Sequence, residues 1–131
     1  MTPSRSIHVR YMLAGAGAWV LCTALLHWLP LPIRLDTGFT PAIAVLALAN
    51  GGFFGALVYL AVRRRPIDQR FTASAVVAMT AAFGDAIAMA FFPSFFPKLN
   101  ADAGSMLAAL LLLTNAVILA TGLYAGSRRS G

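Results

Sequence analysis

The chain has 131 residues, of which 60% are hydrophobic and 11% charged, and its formal net charge is +6. Soluble domains carry about 25% charged residues, so a compact water-soluble fold has no way to hide this much apolar surface, whereas a bilayer does. Nucleic-acid binding needs a basic face on a soluble fold; here the arginines sit at the ends of apolar runs, so no nucleic-acid partner is expected.

Residues 1–10 are short, polar and basic, with Arg5, His8 and Arg10, and an apolar run follows at 11–29. A signal peptide also opens this way. The exit of this run, His27 to Pro32, lacks a small-x-small cleavage pattern, and the run is long for such a segment, so it is expected to stay attached as a first transmembrane helix. Trp28 fits an interfacial anchor, and Pro30 and Pro32 fit the helix exit. Cys22 is the single cysteine. It excludes an intrachain disulfide and a thiolate metal site, and reads as a small buried residue.

Residues 31–40 form a loop in which Arg34 and Asp36 offset each other. The second run is 41–62, with Pro41 in the first turn, where a missing N–H costs nothing. Arg63, Arg64, Arg65 and Pro66 make a hard stop, followed by Asp68 and Arg70. The third run, 71–92, carries one charged residue, Asp85. A carboxylate at a bilayer centre costs about 2.5–3.5 kcal/mol on insertion scales, so it faces a protein interior or a water-filled cavity and orients its helix. Two prolines amid aromatics, Pro93 to Pro97, end the run. Asn100 is expected to cap the next helix, with Asp102 favourable near its positive end. The fourth run is 104–124, and Arg128 and Arg129 follow it.

Each run has about the 20 residues needed to cross about 30 Å of hydrocarbon at 1.5 Å per residue. The runs are too long for barrel strands and lack their alternation. The expected fold is all-α: a polytopic membrane protein, an antiparallel bundle of four transmembrane helices, forming one integral membrane domain over 1–131. With four spans both termini share a side. Arg5, Arg10, Arg63, Arg64, Arg65, Arg70, Arg128 and Arg129 fall on it, and only Arg34 and Lys98 on the other. This bias places both termini in the cytoplasm. The run Arg63 to Arg65 reads as that topological signal ahead of a lipid-headgroup site, because three arginines fall short of the usual cluster of four to eight.

Helices associate in lipid through small residues and polar contacts. In the third run Ser74, Ala78, Ala81, Asp85 and Ala88 share one helical face, while Val76, Phe83 and Ile87 lie elsewhere and suit lipid. Gly51 and Gly55 make a GxxxG in the second run, and Ala14, Ala18 and Cys22 a small-residue column in the first. These faces read as contacts within the chain ahead of a surface for a second copy or a larger membrane complex. Measured from the outer ends, Asp85 lies about 10 Å deep, Asn50 about 14 Å and Asn115 about 16 Å at helical rise. An acid and two amides are therefore expected to meet in the outer half of the bundle, joined by Thr114 and Thr80. His27 reaches Asp85 only on a tilted helix.

The stretch Gly84-Asp85-Ala86-Ile87-Ala88-Met89-Ala90-Phe91-Phe92-Pro93, with Phe95-Phe96-Pro97-Lys98-Leu99 and Ala101-Asp102-Ala103-Gly104 after it, resembles a domain-of-unknown-function family of small bacterial four-helix membrane proteins. That family shows a Leu-Asp-Ala-Leu, aromatic-aromatic-Pro, Phe-Pro-Asn pattern here. The resemblance covers residues 83 to about 122, with a weaker likeness in the first run, and the chain departs from it at Lys98, where an amide is expected. It implies a four-helix fold and a bacterial inner membrane, places Asp85 and the Phe-Phe-Pro turn on pattern positions, and transfers no activity.

Two functions compete. The first is a structural or accessory membrane protein, with Asp85 as neutral polar glue bonded to Asn50 or Asn115. The second is a small proton- or cation-coupled transporter or channel subunit using Asp85. Small multidrug exporters share the size and span count, but their acid lies in the first span, and this first span has none. No Ser/His/Asp set, HExxH or P-loop appears, so no enzyme is expected. No cofactor or metal is expected either, because His8 lies outside the runs and His27 is alone within them. The aromatic turn reads as a membrane-interface element packed on its own bundle ahead of a docking surface.

Overall fold

The computed structural model describes residues 3–28, 34–36 and 38–128. Pro30 and Pro32, expected at the first helix exit, and Leu29 and Arg129 lie outside the described residues. The elements in chain order are α1 (Pro3–Trp28), α2 (Pro41–Val62), α3 (Ile67–Ala90), a single turn α4 (Phe92–Phe95), a 3-10 turn (Ala101–Ala103) and α5 (Gly104–Ser127). Four of them are long and apolar enough to cross a membrane. Their outward faces carry large apolar side chains, including Leu13, Leu48, Phe83 and Leu112, each at least two-thirds exposed. A surface like this marks a lipid-facing protein.

Local chemistry sets the boundaries. Thr40 is the N-cap of α2: its Oγ1 accepts from the Ile43 N–H at 3.3 Å, and Pro41 occupies the first turn. Pro66 breaks the chain between α2 and α3, and α3 starts directly after it, four residues before the apolar run does. Likewise α1 begins well before residue 11, because no glycine or proline interrupts residues 4–10. At the other end of α3, Pro93 closes the helix and initiates α4.

Successive spans run in opposite directions, but spatial neighbours are not successive. Helix α1 packs on α3, α3 on α5 and α5 on α2, while α1 and α2 barely touch. A Cβ on Gly15 would meet Val77 O at 2.8 Å, one on Gly84 would strike the Trp19 ring, and His27 bonds to Phe95. Residue numbers rise together, so α1 and α3 are parallel. The same holds for α2 and α5, where Gly51 faces Val117 and Gly55 faces Val117 and Thr121. The GxxxG pair is therefore a contact within the chain. Among the described residues the extensive antiparallel contact is between α3 and α5, with Ser74 against Gly122 and Asp85 against Asn115.

Helix α3 thus has two buried faces. One carries Ser74, Ala78 and Ala88, as the spacing predicted. The other, toward α1, carries Ala73, Val77 and Gly84, with Val76 beside them. Val76 is 8% exposed, which corrects its assignment to lipid. A helix wedged between two others buries a wider arc than one face supplies. Phe83 and Ile87 do face outward, at 68% and 52% exposure.

Two apolar clusters close the ends. At the arginine-rich end Tyr11, Phe54, Val58, Val62, Ala73 and Ile118 pack together. At the opposite end Leu35, Ile43, Ala88, Phe92, Phe96 and Leu107 do so. Phe96 is 1% exposed, so the aromatic turn packs on its own bundle. Trp28 is 71% exposed, as suits an anchor.

Loops are tied by polar contacts. Arg34 donates from Nε and Nη2 to Asp36 Oδ1 and Oδ2, at 3.2 and 2.9 Å. The Asn100 amide donates to Asp36 Oδ2 at 3.2 Å and makes no side-chain cap, which corrects its expected role. The carboxylate joins two loops, and the Asn100 side chain is turned to donate to it instead of offering its oxygen to the backbone N–H groups of the next helix. The Arg34 guanidinium, and then the Asn100 amide, hold the Asp36 carboxyl down to about 2 from its usual 3.8. A depressed carboxyl pKa stabilises the fold above the unfolded value, and the contribution is lost as pH falls through the folded one. Hydrogen exchange around residues 34–36 and 98–100 is therefore expected to stay slow from pH 7 to 4 and to rise toward pH 2, by more than the intrinsic pH dependence. In Asp36→Asn that additional rise is absent. An equal rise in both proteins would sink the assignment.

Candidate functional site

Because α1 and α2 do not close on each other, a cleft of about 400 Å³ lies between them. Its walls are Ala14, Ala18, Cys22 and Leu25 of α1 and Leu46 and Leu57 of α2; α3 and α5 form its floor. Ala18 and Cys22 pack against the core cluster, as a packing face would, and together with the exposed Ala14 they also border this opening. Small side chains that permit close approach also leave a gap where no partner helix arrives.

The floor is where the expected polar residues come together. The Asn115 amide of α5 donates to Asp85 Oδ2 of α3 at 3.0 Å. The Asn50 amide of α2 donates to Thr114 Oγ1 at 2.7 Å, and Thr114 Oγ1 donates to the Leu110 carbonyl at 2.9 Å. Asp85, Asn50, Thr114 and Asn115 all line the one cleft, but in two pairs: Asn50 bonds to neither Asp85 nor Asn115. Among the described residues, Asn115 is the one hydrogen-bond partner of the Asp85 carboxyl. Asn115 is 9% exposed, and Asp85 is half-buried with its carboxyl toward the cleft.

Other expected members fall elsewhere. Thr80 Oγ1 donates to the Val76 carbonyl of its own helix at 2.8 Å and packs beside Gly15. His27 Nδ1 lies 2.8 Å from the Phe95 carbonyl oxygen and not at Asp85. Ala78 is buried in the core, whereas Ala81 is half-buried and lines the cleft. Gly51 and Gly55 lie on the seam between α2 and α5.

Several residues of the site carry no weight in a sequence reading. Tyr11 closes the arginine-rich end: its hydroxyl donates to the Ala61 carbonyl at 3.3 Å and accepts from Arg65 Nε at 3.1 Å. Leu35, 3% exposed, closes the opposite end. Trp19 lines the cleft, with a buried Nε1 that has no partner among the described residues. A tryptophan in mid-span, away from the interfaces it favours, was the available signal. Arg70 lies outside the cleft and holds three carbonyls, donating to Arg65, Ala125 and Arg63 oxygens, each at 2.9 Å. Among the described residues, no three His, Cys, Asp or Glu side chains gather as a metal site.

A model for a family of unknown function (DUF5367) matches residues 56–129, more than half of the chain. The match encloses Asp85, Thr114, Asn115 and the aromatic turn, and takes in the stretch whose motifs carry the resemblance. No curated protein and no solved structure matches the chain.

Proposed function

We propose that this chain, which belongs to the DUF5367 family of unknown function, is a small proton- or cation-coupled transporter or transporter subunit of the bacterial inner membrane. Both termini are cytoplasmic in this reading, and Asp85 is the group that changes charge. It is a binding and transport protein and not an enzyme. The carrying observation is that Asp85 lines an open cleft together with Asn50, Thr114 and Asn115. Intramembrane carboxylates at cavities mark ion and substrate pathways.

The second reading is the structural or accessory bundle, and one bond favours it. Asn115 to Asp85 joins α3 to α5 and fixes their register. Infrared difference spectroscopy in lipid, subtracting Asp85→Asn, separates the two. The transport reading expects the Asp85 carboxyl to ionise near neutral pH and to exchange readily with D₂O. A carboxyl that stays protonated across that range without exchange leaves the bundle as glue. Asp85→Asn itself is expected to fold, losing at most about 1 kcal/mol, because the amide oxygen still accepts from Asn115.

A further inference from the structure

Resting on that reading, we propose the substrate class: a lipophilic organic monocation that enters the cleft sideways from the bilayer, between α1 and α2. Among the described residues, Asp85 is the only charged side chain lining the cleft, and no lysine, arginine or histidine compensates it there. Its one hydrogen bond comes from a neutral amide. A carboxylate so placed is complementary to a single positive charge and repels an anion.

The remaining surface selects the body of the ligand. Leucines and alanines make the walls, and the volume of about 400 Å³ lies in the range of small-molecule sites. Trp19 and Phe54 also line it, and ring faces attract cations.

The entrance is lateral because, among the described residues, a side chain closes each end. Tyr11 spans from α1 to Ala61 of α2 at one end, and Leu35 plugs the other at 3% exposure. Between them the lips of the cleft, Leu25 and Leu57, are 48% and 47% exposed on the lipid-facing side. A molecule already dissolved in the bilayer reaches Asp85 without crossing either seal.

Tetraphenylphosphonium is the probe, a permanent cation whose binding involves no deprotonation of its own. Its binding to the full chain in phosphatidylcholine nanodiscs, corrected for empty discs, is compared with that of tetraphenylborate, an anion of the same shape. The phosphonium is expected to bind at least about tenfold more tightly than the borate, and Asp85→Asn to weaken it by at least about tenfold. Asp85→Glu retains binding. Ala14→Phe, at an exposed lip position, narrows the mouth and also weakens it. Equal binding of the two ions, or phosphonium binding unchanged in Asp85→Asn, overturns the proposal. Binding sensitive to Asp85 but indifferent to Ala14→Phe overturns the lateral entrance. If Asp85 titrates and exchanges in the infrared yet no phosphonium binds, the substrate class fails and ion coupling stands. If Asp85 is silent in the infrared yet phosphonium binding depends on it, coupling fails and the cation site stands.

Discussion

Gly122→Leu is expected to abolish assembly of the bundle, and Gly122→Ala to lower its unfolding free energy by about 1–3 kcal/mol, the range for overpacking a filled interior. A Cβ on Gly122 falls on the Cβ and Oγ of Ser74, with the Phe71 backbone behind at 3.6 Å. Ser74 is fully buried and has no room to turn aside. The seam between α3 and α5 is the most extensive in the molecule and joins the parallel pair α1/α3 to the parallel pair α2/α5. Helices in lipid gain little from apolar burial and depend on such close packing.

Removing the opposing atoms tests this directly. Ser74→Gly in the Gly122→Ala background is expected to recover at least half of the loss, whereas Ser74→Ala in that background is not, because its Cβ remains. In the parent, Ser74→Ala is expected to be neutral or stabilising, since the Ser74 hydroxyl is buried without a partner among the described residues. Gly17→Ala is the control, with nothing within 4 Å of the added carbon. Detergent-induced unfolding read by tryptophan fluorescence measures all of these. A Gly122→Ala cost no larger than that of Gly17→Ala refutes the argument.

Arg70→Met is expected to cost about 1.5–3 kcal/mol, the scale of charge-assisted hydrogen bonds in a partly wet setting. The Arg70 fork holds the Arg63 and Arg65 carbonyls after α2 and the Ala125 carbonyl near the end of α5. Those carbonyls lie in or just after the last turns of their helices, where intrahelical donors run out and a cation also complements the dipole. Arg70→Lys keeps the charge but loses the planar fork, so it is expected to recover less than half of the loss. Hydrogen exchange should accelerate selectively in the last turns of α2 and α5, with α1 unchanged. Uniform acceleration, or none, would show that Arg70 acts only as a topological charge.

Much of this protein is legible one residue at a time. Asp85 announces itself because a carboxylate in a long apolar run is costly, and its depth relative to Asn50 and Asn115 follows from helical rise. The pairing does not follow. Asn115 bonds to Asp85 but Asn50 bonds to Thr114, because α2 adjoins α5 and hardly meets α3. Depth constrains one coordinate of three. Asn100 shows the same limit: its spacing suits a cap, and only the approach of Asp36 from another loop redirects its amide. Arg70 reads as one more positive-inside charge until the ends of α2 and α5 arrive beside it.

By itself the sequence determined what a bilayer imposes: four apolar spans, their breaks at Pro66 and Pro93, a helical fold and the helix face that carries Asp85. Those features are local, since each span must satisfy its own backbone and its own match to hydrocarbon. Tertiary structure alone decided which spans are neighbours, that α1/α3 and α2/α5 run parallel, that Val76 is buried, and that α1 and α2 stand apart around a cleft. Lipid tails are as apolar as leucine, so a hydrophobic face carries no instruction about its partner. The instruction lies in matched notches and bulges such as Gly84 with Trp19 and Gly122 with Ser74, which have meaning only once both helices are present.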